Sequence, residues 1–460
     1  MRALLVSYAF PPVGGAGVQR VLKLAKYLPD HGITPVVLSV KNPSVPLLDA
    51  SLLAELPPEL EIERARTLEP AYAAKALAWK AEANRDDGLR KRLTTSATRL
   101  AKSLLVPDAQ VLWLPAAALA LCRRLGSVGA VLVSGPPFSS HALGLLARLQ
   151  SGVGVVLDYR DEWTTTRSVY EMAGSAAVDV ALERACLRAA HRVTTATEAF
   201  RERLLDRFSF LDPSSVVTIE NGFDPADLPR ASPRRASDRL VLTYVGTVFR
   251  LTSAEGFLAG LRLFHARSPE LARHLEVRFV GRVVDTEERF FDGSDALGVR
   301  RLGYVEHARA IGEMAECHVA LCLLDEREGA ERVYPAKVFE LLGLRRPVLA
   351  LCPEGVLADL VRAQRLGRVV PPRDAGAIAS ALAELVESFR SGRLPSESEP
   401  RETERYDRRR QAGRFARVLR QSAALAARPE PRATGASSAW SGRTRSGDPS
   451  RSPPRNAPRP

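Results

Sequence analysis

Chemistry is concentrated in a few short stretches of the chain. Tyr334-Pro335-Ala336-Lys337-Val338-Phe339-Glu340-Leu341-Leu342-Gly343 carries an ammonium and a carboxylate three residues apart. A helix starting near Pro335 puts both on one face. There Lys337 can hold a phosphate while Glu340 accepts two hydrogen bonds from a ribose diol. The same spacing also fits an ordinary Lys–Glu pair on a solvated helix.

A glycine loop stands near the N-terminus, Phe10-Pro11-Pro12-Val13-Gly14-Gly15-Ala16-Gly17-Val18-Gln19-Arg20. It follows one apolar run and opens a helical one. Gly14 and Gly15 let backbone approach a ligand, and a helix N-terminus favours anions. A dinucleotide loop is excluded twice over. Arg20 stands where the third glycine belongs, and the next strand ends in Ser39-Val40-Lys41 without an acidic residue. No Gly-Lys-Ser/Thr follows, which excludes a phosphate loop of the Walker type. Two further stretches place polar groups just after apolar strands: Ser134-Gly135-Pro136-Pro137-Phe138-Ser139-Ser140-His141 and Leu157-Asp158-Tyr159-Arg160-Asp161-Glu162-Trp163.

Positioning these groups requires alternating strands and helices. Ala3–Tyr8, Pro35–Val40, Val131–Val133, Val153–Leu157, Arg192–Thr195 and Val216–Ile219 read as strands, with a helix at Val18–Leu28. Asn221-Gly222 and the Pro/Arg/Ser-rich stretch 225–238 interrupt the pattern. It resumes with Leu240–Val245, Glu276–Val280, Arg300–Tyr304, His318–Leu323, Pro347–Leu351 and Arg368–Val370, and with helices at Val333–Leu342 and Ala375–Phe389. Such alternation predicts parallel sheets covered on both faces, with ligands at the carboxyl ends of the strands.

Composition bounds the function. The 460 residues are 45% hydrophobic and 26% charged, an ordinary balance for a globular protein of about two domains. The longest apolar run, Val111–Cys122, contains Pro115 and is too short to span a bilayer. No signal peptide is legible, so a cytoplasmic location is expected. The five cysteines form no CxxC pair and are expected buried and reduced. Net charge is +13, with Arg far outnumbering Lys. That balance suits anionic substrates or an anionic membrane surface. Nucleic-acid binding is not expected, because no aromatic-interleaved basic platform accompanies the charge.

Four stretches, in order, give the chain a resemblance to the GT-B glycosyltransferases, in particular the retaining family 4 group. They are the glycine loop, Ile219-Glu220-Asn221-Gly222-Phe223-Asp224, Tyr244-Val245-Gly246, and Pro335 to Gly343 completed by Arg346-Pro347-Val348. The resemblance spans roughly residues 1 to 425. It implies an α/β fold of two Rossmann-like, doubly wound domains facing across a cleft. It also implies sugar transfer from a nucleotide diphosphate sugar to an acceptor hydroxyl on a glycan or lipid-linked acceptor, in polysaccharide or glycoconjugate biosynthesis. No cofactor and no metal are implied, and the sequence has no DxD triplet. Nucleotide-sugar epimerases, phosphorylases and a non-catalytic nucleotide-sugar-binding protein are the alternatives.

On this resemblance Lys337 and Arg250 face the diphosphate, Glu340 holds the ribose, and Gly14 and Gly15 approach the donor. His141, Asp161 and Lys337 become catalytic candidates, and Arg160 a substrate-binding one. The sequence also departs from the pattern. Where the family carries a first glutamate, eight positions before Glu340, stands Arg332, with Glu331 beside it. Of the usual Arg and Lys after the first donor-domain strand, only Arg250 remains. The expected organisation is an acceptor-side domain at 1–222 and a linker at 223–238. A nucleotide-sugar-binding domain at 239–403 and a crossing helix at 404–427 follow, with a disordered basic tail at 428–460. Within the first domain, a basic helical excursion at 70–105 interleaves Lys and Arg with Leu77 and Trp79. It reads as a solvated helix or as a peripheral membrane element on the inner face of the membrane.

Overall fold

The computed structural model describes residues 1–75, 77, 105–165, 176–229 and 236–428. Most of the 70–105 excursion, part of the 223–238 linker, and the tail beyond residue 428 lie outside the described residues.

Thirteen strands form two all-parallel sheets among the described residues. The first contains β1 (Arg2–Val6), β2 (Thr34–Val40), β3 (Glu61–Ala65), β4 (Ala130–Gly135), β5 (Gly154–Tyr159), β6 (Arg192–Thr195) and β7 (Val216–Thr218). Its order is β3-β2-β1-β4-β5-β6-β7. The second contains β8 (Leu240–Val245), β9 (Leu275–Val280), β10 (Val299–Gly303), β11 (Val319–Leu323), β12 (Val348–Leu351) and β13 (Gly367–Val370), in the order β10-β9-β8-β11-β12-β13. Both are doubly wound, Rossmann-like sheets whose order reverses beside their first strand, at β1/β4 and β8/β11. At such a reversal two loops diverge and leave a crevice at the carboxyl ends of the strands.

Local sequence explains most elements. The central strands are continuous apolar runs because helices cover both faces. In the helix Ala16–Tyr27 the apolar Val18, Val21, Leu22 and Ala25 recur at the spacing of a 3.6-residue period, and its other side is buried too, where Arg20 and Lys23 meet Asp158 and Asp227. β3 is the exception. Its sequence, Glu-Ile-Glu-Arg-Ala, has no apolar pattern, and its charged side chains meet Arg2, Arg123 and Arg124 at the sheet edge. Charged residues on an edge strand discourage pairing with another chain.

Two expectations are corrected. The helix expected at Val333–Leu342 begins only at Lys337 and runs to Gly343. Pro335 keeps the preceding residue out of the helical region, so Val333 and Tyr334 form a loop wall instead. Four of the five cysteines are buried, but Cys122 is exposed on the helix Leu114–Leu125.

After the second sheet the chain returns to the first. A turn at Thr403–Tyr406 sets Tyr406 against Phe339, and the helix Arg408–Ala426 then buries Ala412, Phe415, Ala416 and Leu419 beside Leu5, Val37, Leu132 and Val156. Gly222 makes this crossing close. A Cβ there would lie 1.9 Å from the Tyr406 carbonyl oxygen, so only glycine fits.

Candidate functional site

A cavity of about 470 Å³ opens where the carboxyl ends of the two sheets face each other. The loops after β1, β5, β8, β9 and β11 supply most of its wall. It is mostly apolar, with a small number of charged groups, as small-molecule sites usually are.

The first-sheet wall begins with the glycine loop. Gly15 has φ 92°, a left-handed conformation, and caps the helix Ala16–Tyr27 with no side-chain hydrogen bond to the helix amides. Gly14, expected to approach the donor, does not line the cavity and sits instead against the second half. A Cβ on it would meet the Tyr304 hydroxyl of the second half at 2.7 Å. Behind the loop, Arg20 is buried and reaches Asp158 through both Nε and Nη2, while Nη1 and Nη2 donate to the carbonyls of Glu220 and Ile219. Ser134 and Thr194 donate to the same carboxylate. Burial works against the Asp158 carboxylate, yet Arg20 and these hydroxyls hold it below the usual carboxylate range.

Arg160 and Asp161 line the cavity. The Arg160 guanidinium donates to the carbonyls of Gly17, Pro136 and Gly135, so it joins the loops after β1, β4 and β5. His141 lies deeper. It is fully buried against Phe138, Tyr159 and Trp163, does not line the cavity, and neither ring nitrogen has a hydrogen-bond partner. Burial, reinforced by Arg160 and opposed by Asp158, pushes its pKa down to about 3, so the imidazole is neutral at ordinary pH.

The second-sheet wall carries Lys337, whose ammonium lies 3.6 Å from Glu340 Oε1. Glu340 is nearly buried, does not itself line the cavity, and its Oε2 has no hydrogen-bond partner. A buried carboxylate oxygen without a partner calls for an explanation, and a ligand hydroxyl supplies one. Arg250 is exposed on the turn Arg250–Thr252. It is not a lining residue, although its neighbours Phe249 and Leu251 are.

Sequence reading missed several wall groups. Arg282, two residues past the end of β9, lines the cavity and donates to the Tyr72 hydroxyl at 3.3 Å. The run Val280-Gly281-Arg282, an apolar strand followed by glycine and a cation, was the available signal. Asp49, His307 and Tyr304 had none. They meet across the two halves, where Asp49 accepts from the His307 amide at 3.1 Å and the Tyr304 hydroxyl at 3.3 Å. Asp227 faces the His307 ring at 3.4 Å. A cluster of Glu55, Asp224 and Asp227 is already occupied by the Lys23 ammonium.

Comparisons with known proteins agree with this geometry. Residues 14–222 match the glycosyl transferase 4-like domain, and residues 239–388 match the glycosyl transferases group 1. No curated protein sequence matches the chain. Among solved structures, Anabaena HepE in complex with UDP and glucose has 13% identity and a TM-score of 0.59, over 91% of this chain and 99% of that one. Sucrose-phosphate synthase from Thermosynechococcus elongatus has 16% identity and a TM-score of 0.63, over 92% and 99%. The lipopolysaccharide outer core galactosyltransferase WaaB in its apo form has 14% identity and a TM-score of 0.53, over 91% and 99%. At these identities the structural likeness speaks to the fold.

Proposed function

Because the chain belongs to the family 4-like GT-B glycosyltransferases, we propose that it moves a sugar from a nucleotide diphosphate sugar to an acceptor hydroxyl with retention of the anomeric configuration. The observation that carries this reading is the second-sheet wall: a cavity-facing Lys337 beside the buried, unpartnered Oε2 of Glu340. That pair suits a diphosphate next to a ribose.

The bond between the anomeric carbon and the departing phosphate oxygen breaks, and charge accumulates on the diphosphate. Lys337 and Arg282 on the wall, Arg250 at its rim and the open amides behind Gly15 stabilise that charge. The acceptor oxygen bonds to the anomeric carbon, and its proton passes to the departing phosphate oxygen. On this route no protein group has to take the proton, which accords with a neutral His141 held away from the cavity. Its role then is to shape the first-sheet wall, with Arg160 and Asp161 nearer the acceptor. In this reading residues 1–222 form the acceptor side, residues 239–403 the donor side, and 404–427 the crossing helix.

UDP is the first nucleotide to test, since HepE was captured with UDP and glucose. A glycan or lipid-linked envelope acceptor is the first acceptor class, in line with the WaaB likeness. Thermal shift against UDP, GDP, ADP and their sugars identifies the donor, because a ligand bound only to the folded state raises its stability. Proton NMR of the product reads the anomer. An inverted product ends the retaining mechanism, and an epimerised donor without transfer ends the transferase reading for this site.

Among the described residues no helix is long and apolar enough to cross a membrane. We propose a cytoplasmic enzyme that touches the inner face of the membrane through 70–105. Each basic residue near an anionic surface contributes about 1 kcal/mol. Flotation with anionic liposomes should fall as salt rises. It should fall further when Lys75, Lys80, Arg90, Lys91 and Arg92 become Gln, and no flotation of the unaltered chain ends the idea.

A further inference from the structure

We infer that Glu162 and Arg332 form a latch that closes the two halves of the chain around the cavity and so act as positioning residues for transfer. Glu162 belongs to the first half, in the turn after β5, directly following Arg160 and Asp161 on the cavity wall. Arg332 belongs to the second half, at the end of the turn Ala330–Arg332 and directly before the wall segment Val333–Lys337. The pair therefore lies at the seam where the two walls meet.

Its geometry is a fork. Arg332 Nε lies 2.5 Å from Glu162 Oε1, and Nη2 lies 3.1 Å from Oε2. Two parallel N–H···O bonds fix orientation as well as distance. The Glu162 side chain is 7% exposed and that of Arg332 16%, so water screens the pair little. The backbone is held as well: Thr197 Oγ1, from the first half, donates to the Arg332 carbonyl at 3.0 Å. Glu162 sits on an anchored loop, because Thr164 donates through its amide and its hydroxyl to the buried Glu183. Glu331 takes the remaining Arg332 nitrogen, Nη1.

Opening the halves for a donor would return both charges to water, and closing buries them together. Such a pair adds little net stability but strongly disfavours any arrangement in which one charge is buried alone. The latch thus selects one closed geometry. By sequence Arg332 looks like a lost carboxylate; in the fold it faces a carboxylate delivered from the opposite half. The other rim, where Asp49 meets His307 and Tyr304, is a separate contact that shares no residue with the latch.

The kinetic part of this inference rests on the proposed transfer reaction, while the closure part does not. The experiment uses the full chain with Glu162→Gln, Arg332→Gln, the double Gln variant, and the exchange Glu162→Arg with Arg332→Glu. Small-angle scattering without ligand reads closure. Both single variants and the double variant should have a larger radius of gyration than the parent, and the exchange should bring it back towards the parental value. With whichever nucleotide sugar the parent turns over, kcat/KM for the donor should fall by about tenfold or more in each single variant, the size expected when one partner of a charged hydrogen-bonded pair is lost. The exchange should recover most of it. Parental radii in the single and double variants overturn the latch. If a single variant does not fold, the double variant, which removes both charges of the pair, decides the matter by scattering. A parent that turns over no nucleotide sugar sinks the transferase reading alone, because the radii still test closure.

Discussion

The two walls of the cavity handle charge in opposite ways. On the first-sheet side the cations are committed to the protein: Arg20 to Asp158 and two carbonyls, Arg160 to three carbonyls that join its loops. On the second-sheet side Lys337 lies only 3.6 Å from one oxygen of Glu340, and the other oxygen has no partner. The first-sheet cations are preorganised scaffold, because protein oxygens already accept from them; the His141 nitrogens, buried without a partner on that side, carry no charge. Behind the second-sheet wall it is a carboxylate oxygen that is unmet, next to a cavity-lining ammonium, and an unmade buried hydrogen bond to a charged group is the costlier one.

The largest effect should come from breaking the scaffold. Arg20→Met strands the buried Asp158 carboxylate and should cost about 3–5 kcal/mol of stability in denaturant unfolding. Asp158→Asn should also destabilise, because Arg20 loses its charged partner. If Lys337→Ala proves equally destabilising, the contrast between the walls is gone.

Lys337→Ala should act on function instead. Removing a charge-assisted contact of about 1.5–3 kcal/mol should lower transfer at least about tenfold. It should do so further if the contact strengthens as the leaving group gains charge. Melting temperature should stay within a few degrees of the parent. Glu340→Gln keeps the shape but replaces the charged acceptor, so isothermal titration should show weaker nucleotide-sugar binding with an unchanged fold. Parental binding and turnover in both variants would remove the second-sheet wall as the donor site.

The smallest effects concern two buried titratable groups of the first half, and they have opposite signs. The folded pKa of His141 is pushed down to about 3 by burial, below the 6.5 of an unperturbed imidazole. The unfolded chain therefore binds more protons between those values, and His141 lowers stability as pH falls through that window. Glu183 is raised to about 7 by burial, above its ordinary 4.5. Here the folded chain binds more protons, and stability from this group is present below 4.5 and lost as pH rises through about 7. Melting curves should follow: His141→Leu should lose less stability than the parent between pH 6.5 and 4.5, and Glu183→Gln less between pH 5 and 8. Parallel pH profiles for both variants and the parent would show that neither group is buried as described.

Much of the fold was legible because parallel strands covered on both faces must be apolar, and helices between them must be one-sided. β6 and β8 have the bounds that the sequence predicts, Arg192–Thr195 and Leu240–Val245. β3 was not legible, since its charged sequence becomes a strand only by pairing with β2 and meeting Arg123 and Arg124. In the site, Lys337 and Glu340 could be read because one short segment carries both. Arg332 could be read only as a departure from a pattern.

What the sequence by itself determined was local: the two strand–helix alternations, the glycine loop before its helix, and the spacing of Lys337 and Glu340. What only the tertiary structure decided was which charges face each other across long sequence distances. Arg20 and Asp158 are 138 residues apart, and Glu162 and Arg332 are 170 apart. The physical reason is that periodicity and capping act within a few residues along the chain. The pairing of buried charges is set by desolvation and geometry, which exist only once two sheets have packed and brought their strand ends together.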